Sequence, residues 1–333
     1  MKIFYTSSEK DKKFGVSKVV NVLIKKLLEN KIDVKFSNSF VDFLKFKPDI
    51  VHIHGCWQLH LFFIFIFCKL MSIYIIISPH GMIDPFSFSQ KKFKKQIAWW
   101  LYQKFIFDNS NLIITNSILE KKNLQNAINK KLNIKVISHG IVTVKNYKFF
   151  KIKRKHLNFL FFSRLHHSKN LHNLINIWNT STFYKKYNLD IYGNIVDLDY
   201  FKKIMKLIKN KKNIKYKGFL TSNIQNKLAK YDVFLHPSQS ENFGLVILEA
   251  LSSGLFPIIN KNLDWKIIQK KGFGILIDFN HAQLKKSILM IEKNKKKLKS
   301  IIFRKKQLSF VKENYNWDKI MNEYLYAYLD SKN

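Results

Sequence analysis

Short, continuous apolar runs alternate with longer amphipathic stretches along the whole chain. The runs Lys2–Tyr5, Asp33–Phe36, Asp49–Ile53, Ile73–Ser78, Leu112–Thr115 and Ile134–Ile137 have the length and apolar content of strands. Between them, Ser17–Glu29, Gln90–Phe107 and Ser117–Ile128 read as helices. A run such as Ile73–Ile77 has no polar face, so its sheet must be covered on both sides, the condition of a parallel sheet. Strands alternating with helices then give a doubly wound α/β domain. The basic connector Lys145 to Lys155 interrupts the pattern, which restarts with strands at Leu157–Phe162, Leu189–Tyr192, Ile214–Lys217, Asp232–Leu235, Pro257–Ile259 and Gly274–Ile277. Their helices are Asn170–Ser181, Tyr200–Lys209, Ser222–Tyr231, Gly244–Ser253 and Ala282–Ile291. A long polar helix from about Lys293 to Asn314 and a last one, Trp317–Leu329, close the chain. The predicted architecture is α/β, with tandem domains at 1–150 and 151–315 and a terminal helix in 316–333. A ligand cleft is expected where the strand C-termini of the two halves face each other.

The most membrane-like stretch is Leu61 to Ile77, but Lys69 and Ser72 interrupt it. Its uninterrupted part, Leu61–Cys68, is far below the ~20 residues of a spanning helix. It reads instead as a buried helix followed by a buried strand. Met1–Tyr5 reads as a strand, not as a signal peptide. Cys56 and Cys68 lie among apolar residues and suggest no disulfide framework, which fits a reducing cytoplasm. Lys and Arg outnumber Asp and Glu by 59 to 22, a net charge of +37. Such a field attracts phosphates, anionic lipid and nucleic acid alike. Abundant Asn, Ile and Phe with few Gly and Pro match AT-rich coding, so part of that charge carries no functional message.

Candidate chemistry concentrates in three segments. In His236-Pro-Ser-Gln-Ser-Glu241-Asn-Phe-Gly244-Leu-Val-Ile-Leu-Glu249, a strand runs into a polar loop and a helix opens near Gly244. A helix N-terminus offers unpaired N–H groups to an anion, and glycine lets a ligand approach the backbone. Glu249, in the second turn, is placed to accept hydrogen bonds from a vicinal diol such as a ribose, and Glu241 stands in the loop for a second polyol. In Phe161-Phe-Ser-Arg164-Leu-His-His-Ser-Lys169, an Arg and a Lys five apart follow the first strand of the second half, suited to a diphosphate. In the first half, Ser78-Pro-His80-Gly81-Met-Ile-Asp84-Pro puts His80 in a Pro/Gly loop after a buried strand.

The Glu241/Glu249 segment resembles the E-x7-E signature of family-4 glycosyltransferases, and Arg164/Lys169 resembles that family's R-x4-K element. The His80 segment, followed by the Lys91–Trp100 stretch, is similar to that of members that build bacterial surface polysaccharides. Tyr315-Asn-Trp317 resembles the aromatic-x-Trp that opens the family's final helix. The resemblance spans nearly the whole chain. It implies a GT-B fold of two Rossmann-like domains facing a central cleft, with the C-terminal helix crossing back to the first domain. It also implies retaining transfer of a hexose-type sugar from a UDP- or GDP-sugar to a glycan or lipid-linked acceptor, in cell-envelope polysaccharide or lipopolysaccharide synthesis. Glu249 would hold the donor ribose and Glu241 a hydroxyl of the transferred sugar. The backbone of Asn242, Phe243, Gly244 and Leu245 would approach sugar and phosphate, and His80 would contact the transferred sugar. Arg164 and Lys169 would meet the pyrophosphate, with no cofactor and no metal. Gly15 stands in the first strand-to-helix loop, where the family usually has two glycines, and Ser138-His139-Gly140 replaces the family's Asn-Gly.

Other signals point elsewhere. His52 and His54 share a strand face but have no acidic or Cys partner nearby in sequence to complete a metal site. Asp197-Leu-Asp199 matches the D-x-D of metal-dependent GT-A enzymes, yet it precedes a helix, where Asp is a favoured cap. G-x-G-x-x-G and G-x4-G-K-[ST] are both missing, against a dinucleotide oxidoreductase or P-loop kinase. A GT-B nucleotide-sugar epimerase and a basic nucleic-acid-binding protein are the alternatives, the second opposed by charge that is spread rather than clustered. Lys91, Lys92, Lys94 and Lys95 beside Phe93, Trp99, Trp100 and Tyr102 suggest cytoplasmic enzyme docking peripherally on an anionic leaflet. Against that, helical spacing puts Phe93, Ile97 and Trp100 on one stripe that reads as core.

Overall fold

The computed structural model describes residues 1–8, 16–90, 92–128, 130–144, 147, 149, 156–180 and 182–330. Gly15, Lys91 and most of the 145–155 connector lie outside the described residues. The chain divides into two compact units, Met1–Gly140 with Trp317–Asn333, and Ile141–Asn316.

The first unit is a six-stranded parallel sheet ordered β2-β1-β3-β4-β5-β6. Its strands are β1 (Lys2–Ser7), β2 (Asp33–Phe36), β3 (Ile50–His54), β4 (Tyr74–Ser78), β5 (Leu112–Thr115) and β6 (Ile134–Val136). The expected strands are all present, with ends displaced by a residue or two. β3 is buried at every position and β4 at all but its first, as both-face coverage requires. The terminal helix Trp317–Leu329 belongs to this unit: the Tyr328 hydroxyl lies 2.5 Å from that of Tyr5, and a side chain on Gly140 would strike Trp317.

The second unit has strands β7 (Asn158–Phe162), β8 (Asn188–Tyr192), β9 (Ile214–Tyr216), β10 (Val233–His236), β11 (Phe256–Asn260) and β12 (Ile275–Ile277). They form a parallel sheet ordered β12-β11-β10-β7-β8-β9. The order reverses between β7 and β10, and the loops leaving those two strands open the crevice where doubly wound sheets take ligands. Core clusters cover both faces, one including Phe159, Phe161 and Trp178, the other Leu160, Phe234 and Leu248.

Three helices differ from the sequence reading. The stretch expected as Gln90–Phe107 starts at Lys92 and passes through a π-helical turn, Trp99–Gln103, before ending at Asp108. The extra residue of that turn brings both Trp99 and Gln103 inward, where Gln103 Oε1 accepts the Trp57 N–H at 2.8 Å. Phe93, Ile97 and Trp100 are exposed, so the stripe that read as core is surface. The polar helix expected from Lys293 breaks because Ser300 caps a new one, accepting the Phe303 N–H at 3.2 Å, which yields Lys295–Leu298 and Ile301–Tyr315. The helix expected to be buried, Leu59–Leu70, buries only Leu61, Ile64, Phe65 and Cys68, and presents Leu59, Phe63 and Leu70 to solvent.

Candidate active site

At the β7–β10 crevice, sequence-distant residues meet around one carboxylate. Lys169 follows β7 in a short 3-10 turn, His167–Lys169. His236 ends β10, and Glu241 lies in the loop after it. Lys169 Nζ donates to Glu241 Oε1 at 2.6 Å, and His236 Nε2 lies 2.7 Å from the same oxygen. His236 is fully buried, and Lys169 is nearly so. Burial alone would push the Glu241 carboxyl up, but the Lys169 charge and the His236 hydrogen bond hold it well below the usual carboxylate range. Glu241 is therefore an anion whose Oε1 is committed and whose Oε2 has no partner among the described residues. The two loops are joined directly, because the Gln239 N–H donates to the Ser168 carbonyl at 3.0 Å.

The helix that follows, Leu245–Ser252, starts at Gly244, whose φ of +83° is left-handed. A Cβ there would lie 3.0 Å from Ile247 Cδ1 and 3.2 Å from Trp265 Nε1, so the backbone conformation favours glycine and the close neighbours add to the cost of a side chain. Trp265 Nε1 donates to the Phe243 carbonyl at 2.7 Å and fixes the loop from beneath. Glu249, half-buried, stands in the second turn as its spacing predicts. Beyond that helix's C-terminus, buried Arg304 donates to the carbonyls of Ala229 at 2.8 Å, Ser253 at 3.0 Å and Gly254 at 3.2 Å. A cation there answers the negative end of the helix dipole and sets the helix that carries Glu249.

Arg164, by contrast, is exposed just past β7 and makes no ion pair or hydrogen bond among the described residues. Arg164 and Lys169 are thus not equivalent: one is a solvated cation, the other a buried partner of Glu241. Asp197 caps the Leu198–Ile208 helix, accepting the Tyr200 N–H at 2.9 Å, which accounts for the D-x-D spacing as helix entry.

In the first unit, His80 has a left-handed φ of +52° and both ring nitrogens occupied. Nε2 lies 2.9 Å from His54 Nδ1, and Nδ1 lies 3.1 Å from Asn116 Oδ1. Asn116 donates its amide to the Ile137 carbonyl at 3.0 Å, so Oδ1 must be the atom facing His80. His80 therefore carries its proton on Nδ1 and accepts from His54 through Nε2, which leaves the buried His54 Nε2 an acceptor with no partner among the described residues. His80 stacks with His54 at 5.2 Å and with His139 at 5.8 Å. Burial depresses these imidazoles, His80 to about 4 and His139 to about 3. Glu120 accepts the Gly81 and Asn116 N–H groups, at 2.5 and 2.7 Å, and burial pushes its carboxyl up to about 7. His52 is committed at both nitrogens, each 2.8 Å from a hydroxyl, Tyr328 and Ser78.

The sequence reading missed His236 as a second donor to Glu241, and His54, Asn116 and Glu120 as the frame of the His80 loop. One signal was available for His236, a histidine closing a buried strand five residues before a candidate carboxylate.

Residues 142–308 match the family model described as Glycosyl transferases group 1, and residues 2–145 match Glycosyltransferase Family 4. The chain is 28% identical over 250 residues to an uncharacterized 41.2 kDa protein in the cps region of Klebsiella pneumoniae, covering 71% of this chain and 67% of that one. It is 30% identical over 176 residues to the UDP-N-acetylglucosamine–peptide N-acetylglucosaminyltransferase GtfA subunit of Streptococcus agalactiae. That match covers 51% of this chain but only 34% of the relative. In fold it is similar to HepE of Anabaena in complex with UDP, with a TM-score of 0.76 at 19% identity, over 99% of this chain and 100% of that one. It is also similar to sucrose-phosphate synthase from Thermosynechococcus elongatus, with a TM-score of 0.80 at 14% identity over the whole of both chains. These likenesses give the fold as GT-B, with two Rossmann-like domains. The chain is a glycosyltransferase and belongs to the family of glycosyl transferases group 1.

Proposed function

We propose that this enzyme transfers a hexose-type sugar from a UDP- or GDP-sugar to a glycan or lipid-linked acceptor, with retention of configuration, in cell-envelope polysaccharide or lipopolysaccharide synthesis. The observation that carries the reading is the half-committed Glu241 carboxylate, with Oε1 held by Lys169 and His236 and Oε2 without a partner among the described residues. An ionised carboxylate with one oxygen fixed is a preorganised acceptor for a sugar hydroxyl. Glu249 takes the ribose, and the Asn242–Leu245 backbone approaches the sugar and its phosphate. His80 contacts the transferred sugar, its ring locked by His54 and Asn116. Gly15 is assigned to donor binding by the same resemblance. UDP as the donor nucleotide is supported by the UDP complex of HepE, and a polysaccharide product by the relative from a cps region.

In the transfer, the bond from the anomeric carbon to the diphosphate oxygen breaks with its electron pair leaving on the diphosphate. The acceptor oxygen bonds to the same face of that carbon, and the acceptor's proton passes to the departing diphosphate. Arg164 and the Gly244 helix start stabilise the charge that develops there, and Lys169 supplies its charge through Glu241. No metal or other cofactor is needed for this sequence. The enzyme works in the cytoplasm in peripheral contact with an anionic leaflet, its Lys92–Ala98 helix facing the headgroups. Incubation with a panel of isotope-labelled nucleotide-sugars and membrane glycolipid, with NMR of the product, tests the reading. Inverted anomeric configuration, or release of an epimerised nucleotide-sugar, would refute it.

A further inference from the structure

Apart from His60 and Lys69, the Leu59–Leu70 helix is apolar all round, a composition expected of a core helix or one that meets a membrane. Its inner face packs on the sheet of the first unit. Its outer face has nothing over it among the described residues: Phe63 is 58% exposed and Leu70 77%. Beside it lies the Phe40–Phe46 helix, with Phe40 edge-on to Phe67 at 5.3 Å. Between the two helices runs an open groove of about 480 Å³, lined by Phe40, Phe63, Ile66, Phe67 and Leu70, with Asn38 and His60 as its polar members. On the other side, Phe62 packs on Tyr102 and Phe65 on Phe105. Trp100 and Leu101, next in sequence to Tyr102, are also 76% and 72% exposed. Exposed lysines lie on the same helices, Lys45 on Phe40–Phe46, Lys69 near the end of Leu59–Leu70, and Lys92 and Lys94 on Lys92–Ala98. Lys95 is different, since its ammonium donates to the Ser87 carbonyl and sits over the Trp57 ring.

We propose that this face enters the acyl boundary of an anionic leaflet, and that the groove between the two helices holds an acyl chain of an anionic phospholipid. The inference rests on the peripheral membrane contact proposed above and extends it from a lysine-bearing helix to an inserted surface. Exposed apolar area of this extent marks a contact surface, and the lysines on these helices fit lipid phosphates. A second copy of the chain is disfavoured as the occupant, because each carries a net charge of +37. No helix among the described residues is long and apolar enough to cross a membrane.

The test uses the full chain and vesicles of phosphatidylcholine with or without phosphatidylglycerol. Phe63→Cys places a thiol in the groove lining for a polarity-sensitive fluorophore. Cys56 and Cys68 are buried, with thiols that burial pushes up, Cys68 to about 12, so neither competes for the label. The label should shift to an apolar environment on phosphatidylglycerol vesicles. Phe63→Gln with Leu70→Gln should lower vesicle affinity at least on the order of tenfold at both low and high salt, as loss of buried apolar side chains does. Lys92→Gln with Lys94→Gln should lower it only at low salt. Flotation with a label that stays water-like would overturn the insertion while leaving peripheral contact intact. Failure to float at all would remove both. A label shift that follows protein concentration without vesicles would assign the groove to self-association.

Discussion

Removing Lys169 should destabilise the second unit through the carboxylate it leaves behind. Lys169→Met keeps most of the side chain's reach and deletes its charge. At 2.6 Å, the attraction to Glu241 is roughly 6 kcal/mol at an effective dielectric of 20. Desolvation of both groups, with side chains only 7% and 14% exposed, cancels much of that in the intact pair. The variant keeps the cost of burying Glu241 and loses its main compensation. Unpaired buried charges cost about 3–5 kcal/mol. His236, still 2.7 Å from Oε1, offsets part, so about 3 kcal/mol is expected at neutral pH.

The pH dependence separates this cause from a mere packing defect. In wild type the Glu241 pKa is depressed below its usual 4.5, so the pair's stabilisation is present above 4.5 and fades only as pH falls through the lower folded value. Without Lys169, burial becomes the dominant influence and raises the carboxyl instead. The gap between wild type and variant should then shrink as pH falls toward and below 4.5. Urea unfolding followed by tryptophan fluorescence, at several pH values, measures both curves. Adding Glu241→Gln to Lys169→Met should recover most of the loss near neutrality, because no buried charge is then left unpaired. A loss below about 0.5 kcal/mol, or one constant across pH, would refute the pairing as the reason Glu241 is ionised.

Arg164→Ala should lower turnover on the order of tenfold to a thousandfold with unfolding unchanged, since the side chain is exposed and holds nothing in place; a parallel fall in the urea midpoint would contradict a purely electrostatic role. Glu249→Gln should weaken the calorimetric affinity for free nucleoside diphosphate, whereas Glu241→Gln should spare it and impair use of the intact donor; equal losses would dissolve that division of labour. His139→Asn should flatten the acid limb of the first unit's stability. The buried imidazole, depressed from 6.5 to about 3, contributes stability above 6.5 that is lost as pH falls toward 3, on the order of 4 kcal/mol in full. Urea midpoints measured against pH in both proteins check this, and identical slopes would rule it out.

The sheets were legible because a parallel strand has no polar face to confuse the pattern. Ile73–Ile77 and Leu157–Phe162 declare both-face burial from composition alone, and alternation with helices then makes the sheets parallel, while the strand order itself comes from the structure. The surface layer was not legible in the same way. Apart from His60 and Lys69, Leu59–Leu70 has the composition of core on all sides, and periodicity cannot separate an apolar face turned to a sheet from one turned to solvent. The stripe Phe93, Ile97 and Trp100 failed for a related reason. Phe93 and Ile97 lie before the π turn and are exposed with Trp100, while the inward positions fall within the turn, on Trp99 and Gln103.

The site divides along the same line. Spacing fixed what local geometry decides: Gly244 at the helix start, Glu249 one turn and a half further on, Asp197 as a cap. What spacing leaves undetermined is the state of each group, because that depends on neighbours brought in from other strands. Arg164 and Lys169 read as one pair of phosphate cations, yet five residues of loop carry one into solvent and the other into the interior against Glu241. His80 reads only as a histidine in a Pro/Gly loop, yet Asn116, thirty-six residues on, fixes its tautomer and His54 takes its other nitrogen. Burial opposes charge on both groups: at Glu241 the neighbouring lysine overrides it and the carboxyl stays ionised, whereas at His80 burial prevails and the imidazole is neutral near pH 7.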